Sequence, residues 1–134
     1  MVLSRDDLIH PEICYYIVGI LMEVYRNLGS GYQEKYYQRA VAAELLERKI
    51  KFSEQVPSKL FYKDTRIGTY FFDFLIEYSG VKVILEIKKD QYFSKHNIDQ
   101  VVGYLKSSGL ELGLLANFTP QGVKFKRIVN IRKT

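Results

Sequence analysis

The chain has 134 residues, of which 47% are hydrophobic and 26% are charged, a balance typical of a globular domain and not of a disordered segment. This length is enough for one hydrophobic core and too short for two, so residues 1–134 are predicted to form a single domain. Cys14 is the only cysteine, which excludes an intrachain disulfide and fits a reducing, cytoplasmic compartment. No apolar run reaches the roughly 18 residues of a membrane span, so no membrane partner is expected. The net charge of +5 suits a polyanion such as nucleic acid.

Helical spacing of apolar residues predicts two helices in the first third of the chain. The first spans residues 11–28, with Pro11 in its opening turn and a glycine-rich stop at residues 29–31. The second spans residues 33–49. After that point the apolar residues alternate, which predicts β-strands.

The predicted strands lie at residues 51–62, 66–78, 81–89, 112–118 and 123–131. Pro57 marks the first as an edge strand or a bulge, because proline cannot donate a ladder hydrogen bond. A third helix should run from Ser94, a favourable N-cap, to Ser107. The fourth strand is apolar throughout and is expected to be buried and central, whereas the basic fifth strand is expected at an edge. The order α-α-β-β-β-α-β-β predicts an α/β fold with a mixed sheet flanked by helices.

The second and third strands carry acidic residues that a tight turn would bring face to face. Ser79-Gly80 favours such a turn, because glycine adopts positive φ at little cost. If the hairpin is symmetric about this pair, the register places Asp73 opposite Glu86. Side chains alternate along a strand, so Lys88 shares the face of Glu86. Two carboxylates and an ammonium group are therefore predicted to converge on one patch of the sheet.

This patch has the residue types of a phosphodiester-cleaving site. Like charges directly opposite each other destabilise a sheet, and a divalent cation between them would remove that penalty. Mg²⁺ or Mn²⁺ takes oxygen ligands, so Asp73, Glu86 and the backbone carbonyl of Ile87 are candidate ligands. A metal-activated water would attack the phosphorus with help from Lys88. An ordinary surface pair of acids beside a lysine would give the same pattern, and both interpretations stay open from the residues alone.

Glu34 opens the second helix and has two interpretations. It could be a further acidic ligand that reaches the sheet from the helix. It could equally favour the helix dipole, as an acid in the first turn commonly does. Tyr37, one turn further on, is expected either to belong to the core or to fix the Glu34 carboxylate.

Three polar residues form a stripe along the third helix. His96, Gln100 and Tyr104 are spaced four residues apart, so they share one face of the helix. They are candidates for binding nucleic acid, with Gln100 and Tyr104 facing a phosphate or a base. A solvated helix face is the alternative, above all for His96.

These residues together resemble a known family. Gly31, Glu34 and Tyr37 match the motif of the small prokaryotic GxxExxY proteins, which are placed in the PD-(D/E)XK nuclease superfamily. Phe72-Asp73 and Glu86-Ile87-Lys88 match the superfamily's catalytic core, with Phe72 where a proline is usual. Gln100 and Tyr104 are similar to the Q-x-x-x-Y motif of RecB-like nucleases. The likeness covers almost the whole chain, from the first helix to Arg127.

The resemblance implies a restriction-endonuclease-like PD-(D/E)XK core with the acids on a central hairpin. It implies metal ligation by Glu34, Asp73, Glu86 and the Ile87 carbonyl, with Lys88 catalytic. We therefore expect a Mg²⁺- or Mn²⁺-dependent nuclease that acts on DNA rather than RNA. A domain this small has little surface for reading sequence. We therefore expect weak specificity, or a homodimer or a partner protein that supplies it. The alternatives are a non-catalytic nucleic-acid-binding module and a protein-interaction module on the same fold.

Overall fold

A computed structural model describes residues 9–130, so the predicted end of the last strand at Ile131 lies outside the described residues. Three helices and five strands follow in the predicted order, with boundaries within three residues of the predicted ones. They are α1 (Pro11–Leu28), α2 (Glu34–Glu47), β1 (Lys51–Tyr62), β2 (Thr65–Tyr78), β3 (Val81–Lys88), α3 (Lys95–Ser108), β4 (Leu112–Thr119) and β5 (Gly122–Val129). Between residues 9 and 130, no helix is both long and apolar enough to span a membrane.

The five strands form one mixed sheet in the order β1-β2-β3-β4-β5. β3 and β4 are parallel and are connected through α3, whereas the other neighbours are antiparallel. β1 and β5 are the edge strands, which confirms the prediction from Pro57 and from the basic residues of β5. β4 is buried along its whole length, as predicted, but β3 and not β4 occupies the centre of the sheet.

Helices cover both faces of the sheet and create two hydrophobic cores. α1 and α2 pack on one face, and this α1–α2 core has as its buried members Ile13, Cys14, Ile17, Ile20, Leu21, Val24, Tyr37, Val41, Leu45, Phe74, Ile76, Val83, Leu85, Ile87, Leu112, Leu114, Ala116 and Phe118. α3 packs on the other face, and this α3 core has as its buried members Val56, Phe72, Ile84, Val101, Leu105, Leu115 and Ile128. Ser94 caps α3 as predicted, because its side chain accepts a hydrogen bond from Asn97 N at 3.0 Å.

The strand β2 changes faces at Asp73. Phe72 and Phe74 should share a face, because side chains two apart point the same way. Phe74 instead belongs to the α1–α2 core, whereas Phe72 belongs to the α3 core and lies with its ring centroid 5.0 Å from that of Tyr104. The regular alternation of β2 is therefore broken between these two phenylalanines, where Asp73 lies.

The neighbouring strand β1 changes faces at the same level. Phe52 packs against the α1–α2 core, and Val56 belongs to the α3 core, although both residues have the same parity. Gln55, which lies between them, has a left-handed backbone with φ of 53°. The far half of the β1–β2 hairpin, residues 56–72, thus forms an arm that packs beside α3. We call it the β1–β2 arm.

Candidate active site

The β2–β3 hairpin has the predicted register. Ser79 and Gly80 both have positive φ, 50° and 79°, as a two-residue turn between antiparallel strands favours. Tyr78 pairs with Val81, and the ladder continues to Phe74 and Leu85. The regular ladder ends there, one position short of Asp73 and Glu86. The two acids still meet, because each accepts a hydrogen bond from the backbone of the opposite strand.

Where the backbone ladder between β2 and β3 ends, the two carboxylates replace its backbone hydrogen bonds with side-chain ones. Glu86 Oε1 accepts a hydrogen bond from Asp73 N at 3.0 Å, and Asp73 Oδ2 accepts one from Ile87 N at 2.7 Å. Each acid therefore satisfies a backbone N–H group on the opposite strand. This exchange holds both side chains at the point where β2 changes faces.

Both acids are removed from water. Asp73 is 8% exposed and Glu86 is 2% exposed. Burial, together with the negative charge of Glu86, raises the pKa of Asp73 to about 8, although the bond from Ile87 N opposes the rise. In the absence of a cation, the pair therefore holds a proton up to a higher pH than an isolated carboxyl does. The pair is a place where added positive charge is strongly favoured.

Two further side chains hold the acids from either face of the sheet. Gln38 of α2 donates from Nε2 to Asp73 Oδ1 at 2.9 Å. Tyr70 of the β1–β2 arm donates its hydroxyl hydrogen bond to Glu86 Oε2. The pKa of Tyr70 is raised by burial and by Glu86, so its hydroxyl stays a neutral donor. Sequence reasoning missed both residues.

Lys88 lies on the same face of β3 as Glu86. Its Nζ is 3.9 Å from Glu86 Oε2, and its side chain is 24% exposed, so the ammonium group borders the acids and still reaches solvent. In the parallel ladder Lys88 pairs with Asn117 of β4. Asn117 is 1% exposed, and its side-chain nitrogen has no hydrogen-bond partner within residues 9–130. A buried amide without a partner costs about 1–3 kcal/mol, so Asn117 is a further candidate residue of the site, for which the sequence alone suggested no role.

Glu34 is placed at the start of α2 by the loop before it. Gly31 has φ of 97°, and the Tyr37 hydroxyl donates to Gly29 O at 2.6 Å, which ties this loop to α2. Tyr37 is fully buried and stacks on Phe118, so of its two predicted roles it has the core one. Glu34 Oε1 accepts a hydrogen bond from Lys89 N at 3.3 Å, directly after β3.

The oxygen-rich donor set fits a hard cation held by few protein ligands. Asp73 and Glu86 supply two adjacent carboxylates, and Mg²⁺ typically binds one or two carboxylates and keeps several waters. Within residues 9–130, no three His, Cys, Asp or Glu side chains are grouped closely enough for a metal ion, so Glu34 is not gathered with these two acids. Ile87 directs its side chain into the α1–α2 core. Ligation by Glu34 and by the Ile87 carbonyl stays a prediction.

The predicted stripe on α3 lines a groove that adjoins the acids. The groove has a volume of about 340 Å³ and lies between α3 and the β1–β2 arm; we call it the α3 groove. Its lining comprises Ser58, Lys59, Leu60, Phe61, Tyr70, Phe72, His96, Asp99, Gln100, Gly103, Tyr104 and Ser107. The structure therefore brings His96, Gln100 and Tyr104 to one cavity, and Tyr70 connects that cavity to Glu86.

Comparison with known proteins places this geometry in a family. A family model of the PD-(D/E)XK nuclease superfamily matches residues 11–128. The chain therefore belongs to the PD-(D/E)XK nuclease superfamily, and the predicted restriction-endonuclease-like fold is confirmed.

Solved structures show distant likeness over most of the chain. The crystal structure of SSO0001 aligns with a TM-score of 0.49 at 14% identity, covering 90% of this chain and 79% of that one. Archaeoglobus fulgidus Hjc, a Holliday junction resolvase from an archaeal hyperthermophile, aligns with a TM-score of 0.46 at 16% identity, covering 71% of this chain and 75% of that one. No protein with curated annotation matches the sequence.

Proposed function

We propose that the protein is a Mg²⁺- or Mn²⁺-dependent nuclease that hydrolyses phosphodiester bonds in DNA. The observation that carries this proposal is the buried pair Asp73 and Glu86, with the Lys88 ammonium group 3.9 Å from Glu86. The acids also satisfy two backbone N–H groups where the ladder ends, but uncharged amides could do this without burying like charges side by side. Membership of a nuclease superfamily gives the arrangement its chemical meaning.

Asp73 and Glu86 are the carboxylates that would hold the cation, with Glu34 and the Ile87 carbonyl as further predicted ligands. When bound, a divalent cation lowers the pKa of a water and stabilises negative charge on phosphate. The raised pKa of Asp73 supports a cation site, because a positive ion would replace the proton that this carboxyl otherwise keeps.

Lys88 has the position of a catalytic lysine. Its ammonium group carries hydrogen-bond donors at the border between the buried acids and solvent, where a phosphate oxygen or an attacking water would lie. Donors fixed in advance at developing negative charge are worth more than mobile ones, because they need no reorganisation during the reaction. Gln38 and Tyr70 would keep the acids in place throughout.

The nucleic acid would contact the α3 groove beside the acids. His96, Gln100 and Tyr104 line this groove, and the net charge of +5 favours a polyanion. A domain of this size buries roughly 600–1,000 Å² on DNA, so weak sequence specificity is expected unless a second copy or a partner protein adds contacts.

Cleavage of labelled single- and double-stranded DNA and RNA, with Mg²⁺ or Mn²⁺, tests the proposal. We expect Lys88→Met to lower the rate of metal-dependent cleavage by about 10²–10³-fold, and Asp73→Asn to abolish it. The matched controls lie at the other end of the same hairpin: Lys82→Met on β3 and Glu77→Gln on β2 should cut like wild type. The proposal would be contradicted if wild type were inactive, or if the variants and the controls cut equally well. A non-catalytic nucleic-acid-binding module would then be the better interpretation.

Metal binding can be measured without turnover. Manganese that binds only the folded state should raise the melting midpoint of wild type by several degrees. Asp73→Asn should lose most of this shift, whereas Glu77→Gln should keep it. Equal shifts in all three proteins would argue against cation binding at Asp73 and Glu86.

A further inference from the structure

The α3 groove is connected to the candidate catalytic carboxylates through Tyr70. Tyr70 lines the groove with its ring and donates its hydroxyl hydrogen bond to Glu86 Oε2. A phosphate held at the acids would therefore have one neighbouring nucleotide at the mouth of the groove. The volume of about 340 Å³ lies at the lower end of the ~300–1,000 Å³ range of small-molecule sites, which suits a single nucleoside and is too small for a duplex.

One side of the groove is built from aromatic rings. The ring centroids of Tyr70 and Phe72 lie 4.8 Å apart, and those of Phe72 and Tyr104 lie 5.0 Å apart. Phe61 adds a ring that is 59% exposed. Phe72 is 1% exposed, so the rings that a base can reach are those of Tyr70, Tyr104 and Phe61. Such rings accept any base by stacking, because every base has a π-face.

Gln100, which lines the groove, has a side-chain oxygen without a hydrogen-bond partner among the described residues. Gln100 Oε1 is buried and makes no hydrogen bond within the described part of the chain. A side-chain amide pairs with the edge of a base, where it finds both donors and acceptors. A rotation of the Gln100 side chain toward the groove would let its amide pair with a base and give this oxygen a partner.

The charges that line the α3 groove favour a base over a backbone phosphate. Lys59 and Asp99 both line the groove, so their charges oppose each other, and Asp99 also forms an ion pair with Lys95 at 2.9 Å. Tyr104 has a pKa raised by burial and stays neutral. An uncharged aromatic ligand fits this lining better than an anion does.

A glycine keeps the groove open. Gly103 lies inside α3 and lines the groove, and a Cβ atom built there would meet nothing within 4 Å. A long side chain at this position would therefore extend into the groove without a clash at its Cβ atom.

We propose that the α3 groove binds one unpaired nucleotide next to the phosphate held at Asp73 and Glu86, so that the substrate is a DNA with an unpaired nucleotide: a single strand, a flap or a bulge. This inference rests on the proposed nuclease function and names its substrate class. The base would stack on the aromatic rings and pair with Gln100.

The test measures binding in EDTA, where a metal-dependent nuclease does not cut. The probes are one labelled DNA sequence as a single strand, as a full duplex, and as a duplex with a single unpaired 2-aminopurine. We expect both unpaired forms to bind about tenfold more tightly than the duplex, with quenching of the 2-aminopurine as it stacks. Gly103→Met should fill the groove and abolish this preference, because methionine is a good helix former with a long side chain. The matched control is Ala43→Met on the exposed surface of α2, which should keep the preference.

Equal affinity of wild type for all three probes would overturn the inference, as would a folded Gly103→Met variant that keeps the preference. Folding is checked by circular dichroism and melting. If Gly103→Met does not fold, Gln100→Leu takes its place, and retention of the preference by folded Gln100→Leu would also overturn the inference. The binding measurement needs no cleavage. A protein that prefers unpaired probes but never cuts would therefore contradict the nuclease function and leave base binding in the groove supported. A protein that cuts all forms and binds them without preference would contradict only the proposal that the groove binds an unpaired nucleotide.

Discussion

The two ends of the β2–β3 hairpin carry facing charges of opposite kinds. Near the turn, Glu77 pairs with Lys82, and their side chains form an ion pair at 3.7 Å. Lys51 on the other neighbouring strand adds a second ion pair to Glu77 at 3.2 Å. At the far end, Asp73 faces Glu86, so two acids meet where the turn end has an acid and two lysines.

Exposure differs as much as charge. The side chains of Lys82 and Lys51 are 52% and 80% exposed, whereas Asp73 and Glu86 are 8% and 2% exposed. The turn end thus obeys the usual rule of complementary pairs in contact with water, where each pair contributes roughly 0.2–1 kcal/mol. The acid end breaks the rule in a place where water cannot compensate. Local violations of stability rules of this kind mark functional sites.

The largest expected effect comes from removing the conflict at the acid end. The pKa of Asp73 is raised in the folded protein to about 8, above the value of about 4 expected for the unfolded chain. Metal-free folded protein therefore binds more protons than unfolded protein between these values, and its stability should fall as the pH rises through this window. Asp73→Asn should lack this decline and exceed wild type by about 2–4 kcal/mol near pH 9, and Gln38 can reverse its amide to pair with it.

Urea denaturation in EDTA at pH 5 and pH 9 measures this difference. Glu77→Gln, the same type of change at the exposed end, is the control and should show no such pH dependence. A wild-type stability that stays constant or increases from pH 5 to pH 9 would contradict the buried like-charge pair.

A smaller effect is expected from one of the groups that hold the acids. Tyr70→Phe removes the hydroxyl that donates to Glu86 Oε2 and leaves that oxygen without this partner. We expect a loss of about 1–2 kcal/mol in the free energy of unfolding, because a buried acceptor loses a charge-assisted bond. Tyr62→Phe on the exposed tip of the arm should change stability by less than about 0.5 kcal/mol. Equal effects of the two substitutions would show that the hydroxyl of Tyr70 does not support the acid pair.

The smallest effect on stability should follow from placing two facing acids at the exposed end of the hairpin. Lys82→Glu places a second acid opposite Glu77, so both ends of the hairpin would then carry facing acids. Because water surrounds this end, we expect a cost of no more than about 1 kcal/mol, decreasing at high salt. A cost as large as the effect at Asp73 would mean that facing charge alone, and not burial, makes the acid end unusual.

Much of this structure could be predicted from local patterns. The period of the apolar residues predicted all eight elements, and Ser79-Gly80 gave the register of β2 and β3 as far as Phe74 and Leu85, the neighbours of the two acids. Gln38 was also within reach, because it lies four residues after Glu34 and so shares its helix face. The positions of His96, Gln100 and Tyr104 in one groove follow from the same spacing.

Other parts of the site depend on geometry that no local pattern records. Strict alternation would place Phe72 and Phe74 on one face of the sheet. Because the alternation breaks at Asp73, it assigns the wrong face to the residues of β2 that precede Asp73. Tyr70 therefore reaches Glu86 from a strand position that parity could not assign to it. The wall of the α3 groove opposite α3 was unpredictable for the same reason, because its direction is set by Gln55 in its left-handed conformation.

The face change at Gln55 and Asp73 also divides the molecule into separately variable parts. Beyond it, Val56, Tyr70 and Phe72 pack with α3, whereas the helix that supplies Gln38 to the acids lies on the opposite face. Pairs of residues could be added to or removed from the tip of this hairpin without shifting the register between β2 and β3. The acid pair would then stay fixed while the length and shape of the groove wall change, so insertions at this tip would alter the α3 groove without altering the candidate site.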